Sequence, residues 1–416
     1  MWRALSRYGE FKHRHLLPIY RLFGLLPSQR KPKGTEEPSA TLRSARAVSK
    51  FLDRASYSNQ AKAVIDRVKE SKGAVIFPPS VGWEIANTQR TNHIAREFAN
   101  RGYVAIFDSS NSFDDVNGFK EVEPNLFLFR GNHEQLSEID GSILWTFTYN
   151  FDRRGAYSSA RTVYDWIDDL DVFEYDRAFL ERTHERALRE ADVVASVARR
   201  LHEKAIAVRP DALYLPNGVE YEHFATDPRE HFDDKDIEPS WVRGKPLAGY
   251  YGTMAEWFDY EMVDAVARLR PDWNFLLIGP MYDNSLRERG RRMLKHSNVR
   301  WIGPRSYQDL PEYLQLFDVA TIPFVINDIT LATSPLKLYE YFAGGKPVIS
   351  SAMPECEAFS EVHIARTTEE FSAALDRARI EQGDQQFRER LRKLGRENSW
   401  AARVQVVLDH LRETSR

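Results

Sequence analysis

The chain has 416 residues, 42% of them hydrophobic and 29% charged, with a formal net charge of -3. At that length one compact core gives way to two domains of ordinary size. A single cysteine, Cys356, excludes an intramolecular disulfide and points to a cytosolic setting. No run approaches the roughly 18 apolar residues that a membrane-spanning helix needs, and charges interrupt every apolar stretch near Met1, which argues against a signal peptide.

Taken from the N-terminus, residues 1–50 hold eleven Lys/Arg against three Asp/Glu, or +8, which leaves -11 for the remainder. Trp2, Leu5, Tyr8 and Phe11 fall three apart, so residues 1–27 predict a short amphipathic helix that Pro18 breaks. Two readings of this basic segment stay open. One is peripheral contact with anionic headgroups on the inner face of the cell membrane; the other is packing on the protein itself or self-association. Residues 28–40, polar and punctuated by Pro and Gly, read as a linker.

From about residue 71 short apolar runs alternate with helical stretches. Strands are expected at residues 74–77, 103–107, 143–147 and 192–196, with helices at 89–100 and 175–190. After the turn-forming Pro216-Asn217-Gly218 the pattern restarts, with strands expected at residues 247–251, 275–278, 299–302, 319–323 and 347–350. Buried strands alternating with helices imply βαβ units, hence two successive α/β domains with parallel sheets and a boundary near residues 216–245. Ligands of open α/β sheets sit outside the carboxyl ends of the strands, so functional residues are expected just after strands, in a cleft between the domains.

Three stretches of the second domain fit that expectation. The first is Tyr250-Tyr251-Gly252-Thr253, where a glycine at a strand-to-helix turn lets backbone approach an anion; a turn used only for packing is the alternative. The second, Asn298 to Tyr307, carries Arg305 and Ser306 in a loop that can offer polar groups to a nucleobase edge, or can be an ordinary connection. The third, Asn327 to Val348, carries the most chemistry. Thr333 or Ser334 is expected to cap a helix whose first residue is Pro335, and Gly344-Gly345 to end it. Exposed amides at that helix start with Lys337 suit a diphosphate, and Glu340, one turn on, suits the vicinal diol of a ribose. A surface ion pair between Lys337 and Glu340 is the competing reading.

Leu215-Pro216-Asn217-Gly218-Val219-Glu220, the Gly249–Asp259 stretch, the Asn298–Arg305 stretch and Ser334–Val348 resemble, in that order, the retaining GT-B glycosyltransferases of family GT4, especially bacterial cell-surface polysaccharide members of the teichuronic-acid type. The likeness spans roughly residues 70–405. It is thinner in the first half, where Tyr164-Asp165-Trp166-Ile167-Asp168-Asp169-Leu170 and residues 189–194 also look familial. The resemblance implies a GT-B fold, two Rossmann-like domains with parallel sheets across a cleft. Residues 51–216 would form the acceptor domain, residues 217–395 the nucleotide-sugar donor domain, and residues 396–416 a C-terminal helix crossing back toward the first.

By position, the resemblance makes Glu340 the second glutamate of a Glu-x7-Glu signature, which holds the donor ribose. It places Thr333, Ser334, Pro335, Leu336 and Lys337 at the diphosphate and donor sugar, Gly252 and Thr253 over the phosphates, and Arg305 and Ser306 at the base. Lys337 and Glu340 are the catalytic candidates. The sequence also departs from the family. Ala332 stands where the first signature glutamate belongs, Asp328 lies four residues too early to replace it, and Glu256, Trp257 and Asp259 follow the glycine turn in place of an Arg…Lys pair, a charge that Lys337 is expected to supply. The first-domain histidine of the family is missing from Thr146–Asn150.

The reaction so implied is hexosyl transfer from a nucleoside-diphosphate sugar to a lipid-linked or growing glycan acceptor, with departing charge met by fixed amides and cations and without a metal or other cofactor. The reading includes no nucleic-acid partner. A non-catalytic glycan-binding or scaffold subunit and a sugar-nucleotide epimerase remain as alternatives. Asp165, Asp168 and Asp169 are read as solvated or capping residues rather than a metal site, and His13, His15, His133, His184, His202 and His223 show no ligand spacing for zinc.

Overall fold

The computed structural model describes residues 59–414 apart from 85–87, 113, 174, 228–233 and 282–285. The basic segment 1–50, with its two readings, lies outside the described residues. The described residues divide into two compact units, 59–165 with 173–194, and 166–172 with 195–414.

The first sheet contains β1 (Ala74–Phe77), β2 (Val104–Asp108), β3 (Gly118–Glu123), β4 (Leu126–Arg130), β5 (Ser142–Thr146), β6 (Ser159–Trp166), β7 (Val193–Ser196) and β8 (Leu213–Tyr214). Their order is β3-β4-β2-β1-β5-β6-β7-β8. The four expected strands appear within a residue or two, because runs such as Ala-Val-Ile-Phe are buried on both faces. The hairpin of β3 and β4 was not anticipated. Its β3 is polar and partly exposed, runs antiparallel to β4, and turns through Asn125 at φ 63°, a conformation Asn tolerates.

A strand leading into the Asp165–Asp169 group is expected from the sequence, and β6 supplies it, but its sequence Ser-Ala-Arg-Thr-Val-Tyr-Asp-Trp carries polar residues into the sheet and runs through Asp165. The reason corrects the reading of Asp165 as a solvated or capping residue. Asp165 is fully buried, and Arg90 binds it with two guanidinium contacts of 2.8 and 3.0 Å while the Trp145 indole donates at 3.0 Å. A buried carboxylate is tolerable only with such partners. Asp169, farther along, receives Lys204 at 3.2 Å.

The second sheet contains β9 (Leu247–Tyr251), β10 (Asn274–Ile278), β11 (Val299–Trp301), β12 (Val319–Ile322), β13 (Val348–Ser350) and β14 (Val362–Ile364). All pairings are parallel, in the order β11-β10-β9-β12-β13-β14. Numbered from its own first strand this is 3-2-1-4-5-6, the dinucleotide-fold order, whose switch point lies between β9 and β12. The final helix, Trp400–Glu413, is capped by the Ser399 hydroxyl; just before it, the backbones of Asn398 and Trp400 exchange hydrogen bonds of 3.2 and 3.0 Å with Val219. No helix among the described residues is long and apolar enough to cross a membrane.

Candidate functional site

Three strands of the second sheet end on glycines with positive φ: Gly252 at 132° after β9, Gly279 at 132° after β10 and Gly303 at 74° after β11. Backbone bonds tie them in a row. Gly252 donates to Ile278 O at 2.8 Å, Met254 to Pro280 O at 2.9 Å, and Gly279 to Gly303 O at 2.8 Å. A Cβ on Gly279 would lie 2.1 Å from the Gly252 carbonyl oxygen, so only glycine permits this approach. Gly279 escaped the sequence reading, although it follows its strand as Gly252 follows β9.

The structure brings Gly252 and Lys337 together across 85 positions of sequence. A Cβ on Gly252 would stand 2.9 Å from Lys337 Cε and 3.3 Å from its Nζ. The lysine lies across the glycine turn at the switch point, its amine 5.4 Å from the centre of the Tyr250 ring and 5.1 Å from that of Phe324. Burial pulls the amine below the ordinary lysine range, with attraction from Glu340 opposing. Glu340 is buried, and desolvation holds its carboxyl above the ordinary range against the pull of Lys337 and the neighbouring Tyr251 hydroxyl, with repulsion from Glu220 adding to the rise. The two residues are therefore not a surface ion pair. They form a partly buried cation beside a buried acid, and perturbed groups gathered at a switch point mark a candidate binding site.

The helix carrying both runs Leu336–Ala343. Its start corrects the expected cap: Pro335 is the residue before the first turn, and no side chain caps the helix amides. Thr333 donates instead to Ile329 O at 2.7 Å. Ser334 is buried and clamped by Asn217, whose backbone amide donates to Ser334 Oγ at 3.1 Å and whose side-chain amide donates to Ser334 O at 2.7 Å. Asn217 is in turn held by Arg403 of the final helix, at 3.2 Å to its carbonyl. The Pro-Asn-Gly turn thus positions the uncapped helix start, a role its turn chemistry alone did not reveal.

Thr253 remains at the turn, its carbonyl accepting from the Tyr250 hydroxyl at 2.9 Å and Trp257 Nε1 at 3.2 Å. Arg305 and Ser306 are employed elsewhere. The Arg305 guanidinium is bound by Asp234 at 2.9 Å, Asp236 at 2.7 Å and Ile302 O at 2.6 Å, and exposed Ser306 caps the short turn Tyr307–Asp309. The loop after β11 approaches Tyr251 through Tyr307 instead, whose ring stacks on His223 at 4.8 Å and 24°. Ala332 is buried, and Asp328 is exposed and paired with Arg200 at 3.0 Å, so neither offers a carboxylate beside Lys337. Asp259 caps the helix Tyr260–Leu269. Among the described residues no group of three His, Cys, Asp or Glu is placed to hold a metal ion.

Residues 245–378, which include every element of this site except the Asn217 turn, Glu220, His223, the Asp234/Asp236 pair and Arg403, match the family model described as glycosyl transferases group 1. A Bacillus subtilis (strain 168) protein named "Putative teichuronic acid biosynthesis glycosyltransferase TuaH" is 28% identical, the match covering 61% of this chain and 67% of that protein. Among solved structures, Anabaena HepE in complex with UDP-glucose superposes with TM-score 0.58 at 14% identity, over 82% of this chain and 99% of that one. Sucrose-phosphate synthase from Thermosynechococcus elongatus gives 0.56 at 17% identity, over 82% and 99%. A glycosyltransferase from Rickettsia africae gives 0.58 at 13% identity, over 83% and 99%. With the 3-2-1-4-5-6 order in the second sheet, the fold shared with these structures and the match to the relative, the chain is a glycosyltransferase of GT-B fold, and its residues 245–378 are similar to the group 1 glycosyl transferases.

Proposed function

We propose that the chain transfers a hexosyl unit from a nucleoside-diphosphate sugar to a lipid-linked or growing glycan acceptor in surface-polysaccharide assembly, with retention at the anomeric carbon. The observation that carries the reading is Lys337 laid across Gly252 at the switch point of the second sheet, one turn from buried Glu340. The diphosphate takes the Lys337 amine and the uncapped amides at the start of Leu336–Ala343, where the helix dipole favours an anion. Glu340 accepts the ribose hydroxyls. As the bond from the anomeric carbon to the diphosphate oxygen breaks, the new negative charge falls on groups already aimed at it. The acceptor oxygen bonds to the same carbon from the same face and passes its proton to the departing phosphate. The name of the Bacillus subtilis relative supports the polysaccharide setting, and the GT4 resemblance supports retention.

Calorimetric titration with nucleoside-diphosphate hexoses tests the site. Glu340→Ala is expected to weaken donor binding about tenfold, the scale of a lost hydrogen bond to a charged group. Donor binding unchanged by both Glu340→Ala and Lys337→Ala would remove the site assignment. NMR of the transferred sugar's anomeric proton reads the stereochemistry; an inverted product would overturn retention without touching the donor site.

A further inference from the structure

The carboxyl ends of the first sheet carry chemistry that the donor site does not use. This sheet reverses its strand order between β1 and β5, the place where an open α/β sheet receives a ligand. Asp108, buried at the end of β2, accepts on Oδ2 both His133 Nε2 at 2.7 Å and the Tyr157 hydroxyl at 3.0 Å, and on Oδ1 the Ser110 amide at 3.0 Å. With Nε2 committed to the carboxylate, His133 keeps Nδ1 without a partner among the described residues, on a side chain 35% exposed. Beside it, buried Asn150 donates to Pro79 O at 3.2 Å and accepts from the Phe147 amide at 2.7 Å, which pins the start of the turn Phe151–Ala156 next to the end of β1. That turn presents Arg153, exposed and in no ion pair among the described residues, while its neighbours Asp152 and Arg154 are spent on Arg186 and Glu190. The charge of Arg153 reaches His133, Tyr157 and Tyr175. Next to it the rings of Phe147, Tyr149 and Tyr175 form a stacked column, 5.7 Å apart at 20° and 5.9 Å at 9°, ending on Tyr175, which is 41% exposed.

We propose that this edge of the first unit binds the anionic end of the acceptor, with Arg153 and the His133 imidazolium holding a carboxylate or phosphate and Tyr175 lying against the apolar face of the adjoining sugar. The inference rests on the glycosyl-transfer reading for the identification of its ligand as the acceptor; the anion chemistry stands on the first unit alone. Charge-assisted donors to an anion are the strong ones, and an aromatic ring gives a sugar a flat apolar surface. The other charged groups around His133 are already engaged. Arg130 donates to Ser109 O and Ser112 O, and Glu134 accepts from Asn132. Asp108 favours the protonated imidazole and raises its pKa, against burial and the repulsion of Arg153. Anion binding is therefore complete at acidic pH and falls as pH rises through that raised value.

The test is titration of the full chain with three probes: methyl β-glucuronoside, glucose 1-phosphate and neutral methyl β-glucoside. The carboxylate and phosphate probes separate an acidic glycan from a sugar-phosphate acceptor as the source of the anion. At least one charged probe is expected to bind, more weakly as pH rises through the raised value of His133, and about tenfold more weakly to Arg153→Gln and to His133→Gln. Arg153 is exposed, so its variant folds as the parent does, and a matched melting temperature verifies that. UDP affinity is measured in the same variants and is expected to stay unchanged. Charged probes that bind both variants as they bind the parent, a neutral probe that binds as tightly as the charged ones, or no charged probe binding at all would each overturn the proposal. Loss of UDP and every other nucleoside diphosphate binding from the parent would instead fault the donor reading and leave this result to stand by itself.

Discussion

Lys337→Met is expected to lower kcat/KM for the donor by about 10²–10³ while leaving the melting temperature unchanged or higher. The activity loss is the effect of removing one fixed charge from a departing anion, about 3–4 kcal/mol of transition-state stabilisation. The stability gain has a separate cause. Lys337 holds its amine over the rings of Tyr250 and Phe324, where burial penalises the charge. Replacing a poorly compensated buried charge with an apolar side chain of similar length is neutral or stabilising. The pH dependence follows in sign. Because burial depresses the folded-state value below the unfolded one, the unfolded chain holds more protons in the window between them, so this lysine's penalty to the parent shrinks as pH rises. The same rise removes the cation, so donor affinity falls over that window. Stability and donor binding thus move in opposite directions in the parent, and neither trend persists in Lys337→Met. Titration of kcat/KM together with thermal melts across pH checks both; a variant that loses activity and stability together would make Lys337 a packing residue.

The largest stability effect is expected from Arg90→Ala, about 3–5 kcal/mol, because it strands the buried Asp165 carboxylate with only the Trp145 indole as donor among the described residues. For a unit of this size that corresponds to a fall in melting temperature of roughly 6–20 °C. Arg90→Met combined with Asp165→Leu is expected to cost less than Arg90→Ala alone, since it removes both charges rather than one. Differential scanning calorimetry separates the cases. Donor binding by the second unit, measured below the transition, is expected to remain at the parent level. A loss under about 1 kcal/mol for Arg90→Ala would mean that Asp165 finds another partner or takes up a proton.

The βαβ alternation was legible because strands such as Ala-Val-Ile-Phe and Val-Ala-Ile-Phe-Asp are apolar on both faces, which leaves few other ways to bury them. The burial of Asp165 in β6 was not, because its partner Arg90 lies 75 residues away and no local pattern announces a buried ion pair. Within the candidate site, Gly252, Lys337 and Glu340 were legible as turn, cation and acid. Their meeting was a matter of topology, set by strand order that spacing along the chain does not encode. The helix cap was misplaced by one residue of logic: Ser334 has cap chemistry, yet Asn217 takes its hydroxyl and leaves the helix amides uncapped. Arg305 was legible as a cation in a strand-end loop, but Asp234 and Asp236, some 70 positions earlier, satisfy it. Tyr307, two residues on, carried no signal except its aromatic ring, and Gly279 none except its place after a strand.

The central claim is that the Gly252–Lys337–Glu340 group holds a nucleoside diphosphate. The most direct measurement is the melting temperature of the parent and of Lys337→Met against a panel of nucleoside-diphosphate sugars. A donor at about 100 times its Kd stabilises the folded form by about 2.7 kcal/mol, or roughly 5–10 °C for a unit of this size. The account predicts a rise of that order with at least one sugar nucleotide in the parent and little or none in the variant. No rise with any of them, or an equal rise in both proteins, would contradict it.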